Sequence, residues 1–316
     1  MAFGTDHIVV AEVPNFIPEL WSDEVIAVYK TNTVAASRVR VLNHRGKKGD
    51  TIKIPTPARG SASDKASDTI VTFIEHGTDA GVDISINKHK EYSRLIEDIV
   101  DVQALESLRR FYTDDGGYAI AKQVDQDILH ELFRTGGATI NATGNTLLTT
   151  STFDTILEGD GTAWDETTAT DITDAGIRTF IKTLDDQDVP FAERCMIIPT
   201  IVKQDLLGLA RFTEEAFVGE RAGANSVRNG IVGNVYGMEV YVSTNCPLVQ
   251  DSGATADNVA GYVLQRDALV LVEQMGVRSQ SQYKQEYLAD LFTVDMIYGV
   301  KVVRDTNVVT FVVPTT

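Results

Sequence analysis

"GDTIKIPTPARGSASDKASDTIVTFIEHG", Gly49 to Gly77, begins as one strand and ends as another. Between them, Pro57 to Asp68 is, apart from Pro57 and Arg59, built of Ser, Ala, Asp, Lys and Gly, with almost nothing to bury. A hairpin connection needs only about two to five residues, so this is a long two-stranded arm whose tip has no core of its own. Strand residues advance about 3.4 Å each, which gives a reach of roughly 35 Å from Gly49 to Gly60. A small domain is about 30 Å across, so an arm of that length cannot fold back on much of its own body. An isolated two-stranded hairpin is marginal in water. Its apolar candidates, Ile52, Ile54, Val71, Phe73, Val82, Ile84 and Ile86, therefore call for a partner surface, and another copy of the chain is the natural one. A contact from one subunit onto the next is heterologous and must close a ring or propagate.

The chain around the arm is an ordinary globular one. Its 316 residues are 43% hydrophobic and 23% charged, within the usual range for a protein with a buried core. No run approaches the roughly 18 consecutive apolar residues of a membrane-spanning helix. The opening "MAFGTDHIVVAEVP" lacks the basic start and apolar stretch of a signal peptide, which leads to the expectation of a protein made and kept in a cytoplasm. Cys195 and Cys246, in "CMIIP" and "NCPLV", read as buried reduced thiols. The net charge of -17 is the opposite of what a phosphate-gripping protein carries. It argues against sequence-specific nucleic-acid reading, not against proximity to nucleic acid.

Outside the arm, helical and strand patterns are mixed. "FIPELWSDEVIAVYK" places Trp21, Val25, Val28 and Tyr29 on one helical face. Val82, Ile84 and Ile86 alternate with polar residues as in a half-buried strand. From about Tyr92 the period turns helical, with Leu95, Ile99, Val102, Leu105 and Leu108. "YAIAKQVDQDILHELFR" has an apolar stripe of Tyr118, Ala121, Val124, Ile128 and Leu132, with Lys122, Asp125 and Glu131 off it. Gly116 and Gly117 cost about 1 kcal/mol each inside a helix, so a break is expected there. Residues 136–170, rich in Thr and Gly, read as loop with one short hairpin. A helix from near Asp171 carries Ile177, Phe180, Ile181 and Leu184. A buried strand, Cys195 to Ile198, and a helix, "IVKQDLLGLARF", follow. The final third is mostly β, with "RDTN" as a hairpin connection between the last two strands. Without a regular βαβα alternation, the fold class is α+β.

A search for chemistry finds little. His130-Glu131 starts like a zinc-protease helix, but Arg134 stands where the second imidazole belongs, which leaves a solvated helix face. The glycines of "GIVGNVYG" are not in dinucleotide spacing. "DGTAWDETTATDITD" lacks the alternation of a calcium loop and reads as surface loop plus helix cap. No nucleophile has a neighbouring base. No catalytic residue, cofactor site or metal set is assigned, and the chain is read as a non-enzyme.

Along nearly its whole length, in order, the sequence resembles the major capsid proteins of tailed bacteriophages. "IPELWSDEV" resembles that family's N-terminal arm helix, "KKGDTIKIP" the entry to its extended loop, and "AIAKQVDQDIL" its spine helix. "VPFAERCMIIPTIVKQDLL" and "GIVGNVYGMEVYVSTN" resemble pieces of its axial domain, and "YGVKVVRDTNVVTF" the closing strands of its peripheral domain. The resemblance implies an N-terminal arm (1–45), an extended β-hairpin loop (46–90) and a peripheral domain with a long spine helix (91–170). An axial domain (171–260) and a return with closing strands (261–316) complete it. It also implies pentamers and hexamers closing an icosahedral head around double-stranded DNA, assembled in the host cytoplasm. Partners would be copies of itself, a scaffolding protein, a portal protein and, in some members, a decoration protein, with no membrane. Because capsid-like sequence starts almost at Met1, the scaffold is expected to be a separate chain. Candidate inter-subunit contacts are Arg45, Lys47, Lys48, Ile52, Ile54, Arg59, Lys65 and Phe73. An encapsulin-type compartment of the same architecture, or a monomeric hydrolase with a dispersed site, are the alternatives.

Overall fold

The structure is a computed structural model that describes residues 34–46, 48–56, 62, 64–71, 80–98, 108–133, 135–140, 146–151, 156–165, 169–209, 233–249 and 258–315. The expected helix around Trp21 lies outside them. Along the chain come β1 (Arg40–Asn43), β2 (Thr51–Thr56), β3 (Ala80–Ser85), β4 (Lys88–Glu97) and the long helix α1 (Leu108–Phe133). Next are β5 (Thr135–Ile140), β6 (Thr146–Ser151), β7 (Leu157–Glu158), α2 (Asp174–Asp186), β8 (Arg194–Ile198) and α3 (Thr200–Gly208). The remainder is β: β9 (Asn234–Val235), β10 (Met238–Val242), β11 (Leu248–Val249), β12 (Asn258–Gln265), β13 (Leu269–Lys284), β14 (Ala289–Val302) and β15 (Val308–Pro314).

These strands form a four-stranded sheet in the order β1-β13-β14-β4 and a nine-stranded sheet running β5-β6-β11-β12-β8-β10-β9, with β15 and β7 attached through β12. The pair β2–β3 stands as a two-stranded sheet of its own. The larger sheet holds the centre of the molecule. All eight residues of β12 and all five of β8 are buried, which is why Val259 to Leu264 and Cys195 to Ile198 read as unbroken apolar runs, as strands covered on both faces do. On the sheet lies α2, started by Thr173, whose Oγ1 accepts the Gly176 N–H at 3.0 Å. Its Ile177, Phe180 and Leu184 are buried, and Phe180 stacks on Phe311 of β15 with centroids 4.8 Å apart.

Helix α1 joins the two sheets. Its 26 residues span about 39 Å. Near its C-terminal end the Leu129 carbonyl accepts the Tyr262 hydroxyl of β12 at 2.8 Å; further back, Asp127 accepts the Tyr298 hydroxyl of β14 at 2.6 Å. The expected break at Gly116-Gly117 does not occur. The helix passes through both residues because it lies so close to the four-stranded sheet: a Cβ on Gly116 would sit 2.9 Å from Tyr92 Cδ1 and 3.1 Å from Val294 Cγ2. Packing overrides the propensity cost there.

Further expectations are corrected. Tyr92 to Glu97 are strand, not helix, because β4 pairs with β14 from Lys88 to Glu97, and an edge strand can alternate too weakly to be told from a helix by period. The "RDTN" turn does not join a hairpin: β14 pairs with β13 and β4, whereas β15 pairs with β12 and β7. A short 3-10 turn at Asp305–Asn307 instead carries the chain from one sheet to the other. Asp125, although off the apolar stripe, is fully buried. The hairpin expected within residues 136–170 is present as β5–β6. The stripe residues Val124, Ile128 and Leu132 are buried as expected, but Ala121 is exposed.

Candidate assembly surfaces

The root of the arm is fixed by its own chain. In β2–β3, Ile52 stands opposite Ile84 and Ile54 opposite Val82. Ile84 is fully buried and Ile86 nearly so, in a small cluster with Val270 and Val272 of β13, and Ile52, Ile54, Leu42, Ile297 and Val303 pack against it. The apolar face at the root therefore rests on its own subunit, which corrects the expectation that all of it awaits a neighbour. The seat is tight because Gly299 of β14 admits the arm's backbone: a Cβ there would lie 2.5 Å from the Ser85 carbonyl oxygen. The Ile86 N–H donates to Asp50 O at 2.7 Å, and Gln274 Nε2 to Gly49 O at 2.8 Å.

Of the candidate contacts, Arg45 is engaged within the chain, with Nη2 2.6 Å from Glu273 Oε2. Ile52 and Ile54 face the cluster just described. Lys48 and Lys65 are exposed, while Lys47, Arg59 and Phe73 lie outside the described residues. The structure thus brings Arg45, Ile52 and Ile54 to the arm's base. Exposed apolar side chains beyond it include Ile70 and Val71.

A second surface was not singled out in the sequence. Strands β4, β13 and β14 run on together as a three-stranded ribbon in which β14 stays buried at Phe292 and Val294, while β13 changes from buried at Leu269 to Val272 to exposed from Val277 to Tyr283. A fork stiffens it: Arg278 Nε and Nη2 donate to Asp295 at 3.1 and 2.7 Å, and His89 Nε2 lies 3.3 Å from the same carboxylate. Those hydrogen bonds from Arg278 hold the Asp295 carboxyl below the usual carboxylate range. Near the ribbon's end Tyr283 donates to Asp98 Oδ2 at 2.7 Å. Tyr287 and Leu288 are more than half exposed there, as is Val277 further back along β13. The sequence signal was available: apolar and aromatic side chains flank the Lys284–Ala289 turn, where polar residues would be ordinary.

Beneath both surfaces lies a polar network on α1. Asp125 accepts the Ala35 N–H at 2.7 Å, that of Ala36 at 3.4 Å and Asn245 Nδ2 at 3.0 Å. Burial nevertheless raises its pKa. It ties the segment entering β1 to the helix and to the larger sheet. Asp127 is paired with Lys88 at 3.2 Å and Lys90 at 3.7 Å. His130 is half-buried rather than solvated, and burial pushes its pKa down to about 4. Cys195 and Cys246 are both free and buried, as expected, and burial pushes the Cys195 thiol up to about 12. Among the described residues no cluster of three metal-ligating side chains occurs, and no helix is long and apolar enough to cross a membrane.

Comparison with known proteins places the chain that carries the hairpin, the ribbon and the bridging helix. The phage capsid protein family matches residues 94–311, more than half of the chain, and this chain belongs to that family. Among solved structures, a chain of Mycobacterium phage Che8 is 26% identical, with 94% of this chain and 97% of that one covered and a TM-score of 0.71. The capsid of cyanophage P-SCSP1u (19% identity, 95% and 93% covered, TM-score 0.71) and that of Ralstonia phage GP4 (15%, 98% and 98%, 0.68) share the fold. No curated protein matches. The fold is that of tailed-phage major capsid proteins, as the sequence resemblance implied, and the chain is a structural component of the bacteriophage head, in the virion capsid.

Proposed function

We propose that this chain assembles into pentamers and hexamers that close an icosahedral head around double-stranded DNA. The observation that carries this is the pairing of a seated hairpin root with a ribbon whose far end exposes Tyr283, Tyr287 and Leu288 in a chain of the phage capsid protein family. A surface of that kind on a monomer marks an interaction site. The arm's base is oriented by its own subunit, so its outer part is aimed, and a neighbouring copy supplies the remaining contact. Lys47, Lys48, Arg59, Lys65 and Phe73 take part in that contact, and the cations meet carboxylates of the adjacent subunit. Each interface need bury only about 1,600 Å², since every subunit makes several.

In this reading α1 is the spine of a peripheral unit built on the four-stranded sheet, and the larger sheet is the core of an axial unit at the capsomer centre. A scaffolding protein and a portal protein act during assembly in the host cytoplasm, and a decoration protein is added outside by the same logic of repeated surfaces. The net charge of -17 suits a container that lets DNA slide. The test is expression with and without the scaffold, followed by size exclusion and electron microscopy. Closed particles of uniform diameter are expected; a chain that stays a single subunit under both conditions would refute the reading.

A further inference from the structure

Asp125 lies on α1 and is fully buried, yet among the described residues its partners are neutral N–H groups: those of Ala35 at 2.7 Å and Ala36 at 3.4 Å, and Asn245 Nδ2 at 3.0 Å. A carboxylate buried without a cation is costly unless its acceptor sites are filled, so its presence points to what it holds. Ala35–Ser37 is a single 3-10 turn, and its N-cap residue, Val34, makes no side-chain cap. The first N–H groups of such a turn have no partner within it. Asp125 supplies the missing cap from 90 residues away. Hydrogen bonds to an ionised acceptor are roughly twice as strong as those between neutral groups.

From this turn the chain runs as a strap into β1, the outermost strand of the four-stranded sheet, paired in parallel with β13. The register sets Leu42 opposite Val272. Leu42 packs, beside Ile52 and Ile54, on the cluster of Ile84, Ile86, Val270 and Val272 that seats the arm. A slip of one residue would turn Leu42 to the other face and bring Val41 or Asn43 to the seat. The strand has 4 residues, and parallel pairing is the weaker kind, so β1 by itself resists a slip poorly. Three ion pairs run along the strap: Arg38–Glu239 at 3.2 Å, Arg40–Asp267 at 3.7 Å and Arg45–Glu273 at 2.6 Å. The arginine of each is at least a third exposed, and exposed pairs contribute little. Val34, Ala35 and Val39 are buried in the main core, but apolar burial is non-directional. The buried bonds from Ala35 and Ala36 to Asp125 are directional, and they are what fixes the strap lengthwise.

We propose that Asp125 is a positioning residue for the arm: by capping the Ala35–Ser37 turn it sets the register of β1, and through Leu42 the seat on which β2 and β3 rest. Its consequence for assembly rests on the shell reading above, in which the arm is aimed at a neighbouring copy. Hydrogen exchange of the full-length, unassembled subunit tests it without particles, so a wild type that forms none would refute the shell reading and not this one. In Asp125→Ala, peptides covering Ala35 to Asn43 and those of β2 and β3 should exchange at least about tenfold faster, with β12 and β15 at wild-type rates. Asn245→Ala removes another partner of the same carboxylate but touches neither turn nor strap, and should leave Ala35 to Asn43, β2 and β3 unchanged. Leu42→Ala should speed β2 and β3 and leave the turn as in wild type. Uniform acceleration in Asp125→Ala, β2 and β3 unchanged in it, or the same pattern from Asn245→Ala would overturn the proposal. Should Asp125→Ala not fold, two measurements still decide: wild-type exchange of β2 and β3 in Leu42→Ala, or an Ala35 amide far less protected than those of β12 in the wild type, overturns it.

Discussion

Ile84→Ala tests whether the arm is a separately seated unit. Ile84 is fully buried, but in the small cluster with Ile86, Val270 and Val272, apart from the main core. The substitution removes three carbon groups at about 0.8 kcal/mol each, or about 2.4 kcal/mol of transfer free energy. A residual cavity adds to this, bringing the loss to about 3 kcal/mol, within the usual range for such truncations. If the cluster opens on its own, the loss falls on the local equilibrium. About 3 kcal/mol is then a roughly 150-fold rise in the opening constant of β2–β3. Hydrogen exchange of the unassembled subunit, read by mass spectrometry, should show peptides from β2 and β3 exchanging faster by that order. Peptides from β12 and β15 should keep their wild-type rates, and particle yield should fall because the arm is no longer aimed. Equal acceleration in all four strands would show that the arm is part of one cooperative core, and no acceleration anywhere would show that the seat contributes nothing. Either result refutes the reasoning.

The adjacent glycines of α1 should respond with opposite signs. Gly116→Ala forces a Cβ against Tyr92 and Val294 and should cost about 1–3 kcal/mol; Gly117→Ala meets nothing within 4 Å and should gain up to about 1 kcal/mol, both measured by urea unfolding. For His130, the folded-state pKa of about 4 lies below the unfolded value. Its contribution is complete above about pH 6.5 and is lost as pH falls towards 4, so a His130→Gln subunit should show a flatter stability profile across that window. Reversing the charges of Lys47 and Lys48 should lower particle yield with no change in subunit melting temperature, and unchanged yield would count against a register-setting role.

How much was legible follows from the range over which each signal acts. Local periodicity identified α2, β8 and the C-terminal strands, because a buried face repeats its apolar residues wherever it packs. The resemblance to tailed-phage capsid proteins rested on the order of several weak motifs, and the fold agrees with it. Arg45 could not be read the same way. Its partner Glu273 lies across the parallel pairing of β1 with β13, which brings together residues more than two hundred positions apart.

From sequence alone came the α+β class, the acidity, the long arm and the absence of any recognisable catalytic motif, all properties of composition and short-range pattern. Tertiary structure alone decided that α1 runs unbroken through two glycines, that Asp125 is buried to hold Ala35 and Asn245, and that the arm's root lies on its own subunit. Each of those turns on what a face packs against, and an apolar stripe or a glycine records only that something comes close.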